Sequence, residues 1–398
     1  MPKLLLAALL ALAVPRPAAD GLPVVTPESV GMSRERLALI DRVMARALDA
    51  RGFPGAAVVV GRRGGIVWSK GYGHLDWSAS SPAVRADETL FDLASITKVV
   101  ATTTAIMVLH DEGQLGLDDR VSKYLPEFSG GGRDAVTIRH LLTHRSGLPA
   151  GRGLGGSPEA ARRAVLATPL ERAPGTRAIY SDLGPDLLGF VVERITREPL
   201  DRWLARRVFR PIGMRYATFA PPARWSERLA PTLEYPSRGI VHDPTARALG
   251  GVAGHAGLFA TARDLAVFAQ MMLDGGTLGG VRIARDSTVA LFTRRAAGWR
   301  ALGWDTCAGG GSCGRLMSER AFGHTGFTGT SLWIDPDREM FVIVLTNEVY
   351  APRAPDPTAI LQDVRGDIAD IAALAADAAD EGARSMPVLR SDRAIGWR

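Results

Sequence analysis

Two short apolar runs, Ala56-Ala57-Val58-Val59-Val60 and Ile66-Val67-Trp68, are separated by Arg62-Arg63-Gly64-Gly65. β-Branched residues flanking a glycine turn predict a hairpin within 55–73. Upstream, Leu37, Ile40, Val43, Met44 and Leu48 recur at helical spacing behind Ser33, a capping residue, and Gly52 and Pro54 end the run. From about Ser95 to Met214 the helical period dominates. Strands return at Thr328 to Ile334 and Met340 to Leu345, joined by Asp335-Pro336-Asp337-Arg338, whose composition suits a turn. A last Ala-rich helix, about Thr358 to Ala379, sets Ile360, Val364, Ile368, Ile371 and Leu374 on one side. The pattern predicts an α+β fold: an antiparallel sheet flanked by helices, built from N- and C-terminal segments, with an inserted, mainly helical subdomain. The expected boundaries are a sheet subdomain over 20–94 and 240–382, a helical one over 95–239, and a tail over 383–398. No internal repeat interrupts this plan.

Lys3 and the apolar run from Leu4 to Val14, followed by Pro15, Pro17 and small residues, read as an export signal over 1–19, cleaved after Ala13 or Ala19. The run is short for a membrane span, and no nearby cysteine offers a lipid anchor, so no stable membrane anchor is expected; an uncleaved N-terminal anchor is the alternative. A periplasmic or secreted location agrees with the cysteine count. Cys307 and Cys313, the only two, flank a short glycine-rich loop and could close a disulfide ring in an oxidising compartment. Over the full sequence, 46% hydrophobic and 23% charged residues describe a globular chain. Its net charge of +6 comes from arginines interleaved with acids rather than from a basic run, which argues against a nucleic-acid partner.

One bias changes the picture. The chain has four lysines against forty-four arginines, and one of the four, Lys98, stands three residues after Ser95. Lysine can lose its proton and arginine effectively cannot. Ser95 falls in the first turn of what reads as an amphipathic helix running to Gly113, so positions i and i+3 bring Lys98 to the Ser95 hydroxyl. Burial and the helix N-terminus would both lower the Lys98 pKa and make it a base. The bland alternative is a capping serine beside a solvated lysine. Tyr180-Ser181-Asp182 precedes an apolar helix, where a tyrosine is ordinarily half-buried packing. His324-Thr325-Gly326-Phe327 enters a strand; Gly326 would let a substrate approach the backbone, and the Phe327 N–H could bind an oxyanion.

These three pieces in this order resemble the penicillin-recognising serine hydrolases, the branch holding class C β-lactamases, D-alanyl-D-alanine carboxypeptidases and β-lactamase-like esterases. That family reads S-x-x-K, then Y-x-N, then K-T-G or H-T-G. The framework is similar as well, at Thr137 to Leu148 and at Val241-His242-Asp243 followed by Gly250 to Phe259. The resemblance spans about Gly31 to Asn347. It implies a β-lactamase/transpeptidase-like fold and an acyl-enzyme on Ser95, with Lys98 and Tyr180 moving the proton. It places the oxyanion between the N–H groups of Ser95 and Phe327, puts His324 and Thr325 along the cleft, and calls for no cofactor. The expected substrate is a small molecule or peptide carrying an ester, amide or β-lactam carbonyl. The alternatives are a D-alanyl-D-alanine carboxypeptidase acting on peptidoglycan peptides and a non-catalytic peptidoglycan-binding module.

One position departs from the family. Asp182 stands where an amide-donating Asn is usual, and an ionised carboxylate only accepts hydrogen bonds. A carboxylate there also favours an ammonium on Lys98. His242, Asp243 and His255 are metal-ligand types, but the preferred reading is hydrogen bonding between glycine-rich loops, with no metal site. His140 and His144 are expected to close or cap a helix end.

Overall fold

The computed structural model describes residues 21–234, 238–308, 311–377 and 388–393. The leader over 1–19, and the 383–398 tail apart from 388–393, lie outside the described residues. The centre is a six-stranded antiparallel sheet of β1 (Gly55–Arg62), β2 (Gly65–Gly73), β3 (Asp305–Thr306), β4 (Phe322–Gly326), β5 (Thr330–Asp335) and β6 (Met340–Thr346). The strand order is β2-β1-β6-β5-β4-β3, so the N-terminal hairpin pairs directly with the C-terminal strand, Val58 opposite Val344. The fold is α+β.

β1 and β6 are buried along their whole length, which explains why their sequences run apolar without alternating. Successive residues serve different cores. Ala56, Val58, Val60, Val342 and Val344 face the helices Leu39–Asp49 and Pro357–Ala376. Ala57, Val59, Ile343 and Leu345 face a larger core that holds the helix Ala262–Leu273 and the whole Ser95 to Leu109 region. The sheet is thus a middle layer with apolar helices on both faces. Ser33 accepts the N–H of Arg36 as the expected cap, and a single-residue step at Ala38 divides that helix in two. The terminal helix is seen from Pro357 to Ala376; residues 378–379 of the expected span lie outside the described residues.

Among the described residues, no helix is long and apolar enough to cross a membrane. Cys307 and Cys313 are joined by a disulfide, their Cα atoms 6.0 Å apart. That ring closes the connection from edge strand β3 toward β4, and Cys313 is buried in the second core. In protein recovered from an oxidising compartment, non-reducing peptide mapping should therefore yield one linked Cys307–Cys313 fragment. Alkylation of both thiols without reductant would contradict it.

Candidate active site

Ser95 lies in a single 3-10 turn, Ala94–Ile96, which passes into a widened helical turn, Lys98–Thr103, and then the α-helix Thr104–Asp111. Every residue from Ile96 to Leu109 is buried, so the helix is not amphipathic as expected. It is enclosed on two sides: its start packs on β4, and its next turns pack on the helix Leu183–Thr196. Apolar contact all round makes a buried helix, and the polar exceptions, Thr97 and Thr102, are satisfied internally. Thr102 donates to the Gly254 carbonyl at 2.7 Å, and Thr97 accepts the N–H of Leu258 at 3.1 Å. Gly254 is needed for this approach, because a Cβ there would meet the Pro185 carbonyl at 1.9 Å.

The turn that presents Ser95 is strained. Ala94 has φ +46°, a left-handed conformation that costs a non-glycine residue on the order of 1–3 kcal/mol. Asp92 holds it there: one carboxylate oxygen accepts the Ala94 N–H at 2.9 Å, and the other accepts the His242 N–H at 2.6 Å. Burial raises the Asp92 pKa, opposed by these two N–H donors. Neither Asp92 nor Ala94 was anticipated from sequence. The available signal was a lone carboxylate between Phe91 and Leu93.

Lys98 is 2% exposed, and its Nζ donates to Ser95 Oγ at 2.7 Å and to the His255 carbonyl at 3.3 Å. Asp182 Oδ1 lies 2.8 Å from the same nitrogen. Desolvation pushes the lysine pKa down, but the charges and hydrogen bonds of Tyr180 and Asp182 outweigh it, and the net shift is upward. The expected lowering is therefore corrected: the resting group is an ammonium that donates to Ser95. The helix-terminus argument missed this because the two neighbouring side chains are nearer than the distributed dipole.

Tyr180 is held on edge by its neighbours. Its ring lies 4.7 Å from His144, with Lys98 Nζ 4.9 Å and the Arg300 guanidinium 5.2 Å from its centroid. His140 closes a helix as expected, its Nδ1 accepting the Thr137 N–H. His144 does not. It is buried, adopts φ +54°, and its Nδ1 accepts the Ser181 N–H at 3.1 Å, so it positions the tyrosine loop. Burial drives its pKa well below the ordinary value, leaving it neutral, as an accepting nitrogen requires.

β4 forms the facing wall, with His324, Thr325 and, just beyond it, Phe327 lining the cleft. Gly326 has a different reason from the expected one. A Cβ there would meet the Leu93 carbonyl at 2.4 Å and Thr330 Oγ1 at 2.2 Å, so the close approach is to the Ser95 segment and not to a substrate. Thr328 and Thr330 reinforce that clamp, donating to the carbonyls of Asp92 and Leu93 at 2.6 and 2.9 Å. From behind, buried Arg365 donates to the carbonyls of Gly326 and Thr330. Among the described residues, no turn or loop bond takes up the N–H of Ser95 or of Phe327. The cleft so formed encloses about 400 Å³ and also meets Asp182, His242, Asp243, His255, Arg300 and Asp305. Arg300 and Asp305, an ion pair at 2.7 Å, were not anticipated and carry no motif that could have marked them.

His255 sits between two carboxylates: Nδ1 donates to Asp186 at 2.7 Å and Nε2 to Asp243 at 2.9 Å. Burial lowers its pKa, but the charge and hydrogen bonds of Asp186 and Asp243 prevail and raise it to about 10. The Asp243 pKa, raised by burial but lowered more by His255, falls to about 2. Both imidazole nitrogens carry protons, so His255 offers a metal no lone pair. Ligand atoms of Asp182, Asp243 and His255 do lie within 4.8 Å of one another, yet His255 faces both its carboxylates as a donor and Lys98 Nζ already sits 2.8 Å from Asp182. Asp186, wholly buried in an apolar helix, is the partner that sequence reading missed. A folded pKa of about 10 against an ordinary 6.5 stabilises the protein fully below about pH 6.5, and the effect is lost as pH rises through 10. The melting-temperature gap between wild type and His255→Gln should thus be widest near pH 6 and shrink toward pH 10. A gap independent of pH would show that the imidazolium contributes nothing to stability.

A family model described as Beta-lactamase matches residues 40–365. An Escherichia coli K12 protein named "Putative D-alanyl-D-alanine carboxypeptidase" is 35% identical over 391 residues, covering 84% of this chain and 88% of that one. Among solved structures, a penicillin-binding protein homolog from Caulobacter crescentus superposes with a TM-score of 0.71 at 22% identity, covering 86% of this chain and 98% of that one. EstCE1, described as a hydrolase with promiscuous acyltransferase activity, gives 0.67 at 26% identity, covering 83% and 98%. With a family model spanning most of its length and a relative of this identity aligned over most of both chains, the chain belongs to the Beta-lactamase family of hydrolases.

Proposed function

We propose that the protein is an exported serine hydrolase that forms an acyl-enzyme on Ser95, with an ester as its preferred substrate. The observation that carries this is the 2.7 Å contact from Lys98 Nζ to Ser95 Oγ at the floor of an open cleft. A serine buried only to cap a helix would have no use for a desolvated ammonium beside it. In the proposed reaction Ser95 Oγ bonds to the carbonyl carbon while its proton passes to Lys98 Nζ and Lys98 hands one of its own to the Tyr180 oxygen. Tyr180 gives its hydroxyl proton to the leaving oxygen as the bond from the carbonyl carbon to that oxygen breaks, so both side chains end as they began. The N–H groups of Ser95 and Phe327 take the oxyanion. Water repeats the sequence and frees the acid. The expected leader over 1–19 supports export, and the Cys307–Cys313 disulfide accords with it.

Asp182 favours esters over amides. Engaged with Lys98, its carboxylate cannot donate to a substrate amide oxygen, and an ester carbonyl asks less of that position. The second reading is a D-alanyl-D-alanine carboxypeptidase acting on peptidoglycan peptides. It is favoured by the name of the Escherichia coli relative, and Thr325 and Arg300 line the cleft where a terminal carboxylate could lie.

Two measurements test the site. An activated short-chain ester should acylate Ser95 faster than a cephalosporin, followed by intact mass and by kcat/KM. A tenfold preference for the cephalosporin would overturn the ester reading. Lys98→Arg should lower turnover by about 10² to 10⁴, the usual loss for a positioned proton-transfer group, since a planar guanidinium neither fits nor releases a proton. Lys70→Arg, at an exposed surface pair with Asp41, should be silent. A folded Lys98→Arg protein keeping more than about a tenth of wild-type turnover would remove Lys98 from proton transfer.

A further inference from the structure

The open valences of the cleft are mostly acceptors. Asp182 and Asp243 keep 33% and 31% of their side chains exposed, and both line it. Asp243 uses Oδ1 for the Ala246 N–H and for His255, and its Oδ2 has no partner among the described residues. Across the cleft, His324 makes an independent case. Its Nδ1 faces the Thr325 carbonyl at 2.6 Å and must carry the proton, so Nε2 is a lone pair. That nitrogen is buried and has no hydrogen-bond partner among the described residues, and the nearest charged group, Asp305 at 4.0 Å, is another acceptor. A buried unmatched acceptor in a cleft calls for a donor on the ligand.

Charge says the same. Lys98 and His255 supply two cations for the three carboxylates of Asp182, Asp186 and Asp243, so the cluster to which the two cleft-lining carboxylates belong carries one net negative charge. Position then fixes where a ligand cation would sit. Lys98 Nζ is 2.7 Å from Ser95 Oγ and 2.8 Å from Asp182 Oδ1, so those two oxygens are at most about 5.5 Å apart. A carbonyl carbon in attacking contact with Ser95, about 3–3.5 Å away, brings a cation on its neighbouring carbon within reach of Asp182.

We propose that the cleft selects acyl groups bearing a free α-ammonium, as in an α-aminoacyl ester, with the ammonium seated between Asp182 and Asp243. This deepens, and rests on, the reading of Ser95 as the nucleophile. The ammonium is bound and not consumed. The bond formed is Ser95 Oγ to the carbonyl carbon, the bond broken is that carbon to the leaving oxygen, and the serine proton ends on the departing alcohol. A substrate whose α-nitrogen is acylated loses both the charge and the donors.

The test compares the p-nitrobenzyl esters of alanine, N-acetylalanine and propionic acid with the full-length protein. The alanine ester should exceed each of the others at least tenfold in kcat/KM near pH 6.5. That preference should decline above about pH 8, where an α-amine loses its proton. In Asp243→Asn the ratio of alanine to propionic ester should fall at least fivefold; the ratio is insensitive to the fraction of folded enzyme. Ester hydrolysis through Ser95 with no preference for alanine, or with a preference that does not change with pH, overturns the proposal and leaves the serine reading standing. Failure of every ester, and of p-nitrophenyl acetate, to acylate Ser95 by intact mass overturns both.

Discussion

Placing an ammonium at 2% exposure against a serine is the constraint around which the rest of the cleft is arranged. Desolvating an isolated charge costs several kcal/mol even after relaxation, and the protein can keep Lys98 charged only by supplying partners. It supplies the Asp182 carboxylate at 2.8 Å, the face of Tyr180 at 4.9 Å and the His255 carbonyl at 3.3 Å. Asp182 is then more than a missing asparagine. It compensates the lysine, and the requirement propagates outward: Asp243 near Asp182 needs its own cation, His255 provides it, and Asp186 completes the chain in the core.

The same economy of contacts fixes the nucleophile. Ser95 is reached through Ala94 at positive φ, and the strain persists only because the surroundings over-determine it. Asp92 pins the Ala94 N–H, Thr328 and Thr330 bind the two carbonyls before it, and Gly326 lets β4 close onto Leu93. Arg365, on the terminal helix behind the sheet, holds the turn that carries Phe327. Elements of the C-terminal part of the chain thus converge on one peptide segment more than two hundred residues before them.

Much of the architecture was legible from periodicity. The hairpin at 55–73, the strand pair around Asp335-Pro336-Asp337-Arg338 and the terminal helix are local, because turn chemistry and side-chain spacing act within a few residues. The Ser95 helix was legible as a helix but not as a buried one: Thr97, Thr102 and Thr104 look polar in sequence and are hydrogen-bonded internally in the fold. Ser95 and Lys98 could be paired from spacing alone, because i and i+3 meet on any helical turn.

Local patterning marked the two strand pairs, the helices behind Ser33 and Ser95, the terminal helix, the Ser95–Lys98 pairing, the candidates Tyr180, His324 and Thr325, and, through one departure from the family pattern, the importance of Asp182; it did not mark the helix Ala262–Leu273 or the edge strand Asp305–Thr306. The electrostatics and the supports came from contacts between distant segments. Whether Lys98 rests as amine or ammonium depends on Asp182, eighty-four residues away, and whether His255 is a ligand or a cation depends on Asp186 and Asp243 on two different segments. Gly326 looked like an opening for substrate until the Leu93 carbonyl was found in that space. The physical reason is common to all three: a charge state or a close contact is set by what lies within about 4 Å in space, and no local spacing encodes that neighbour.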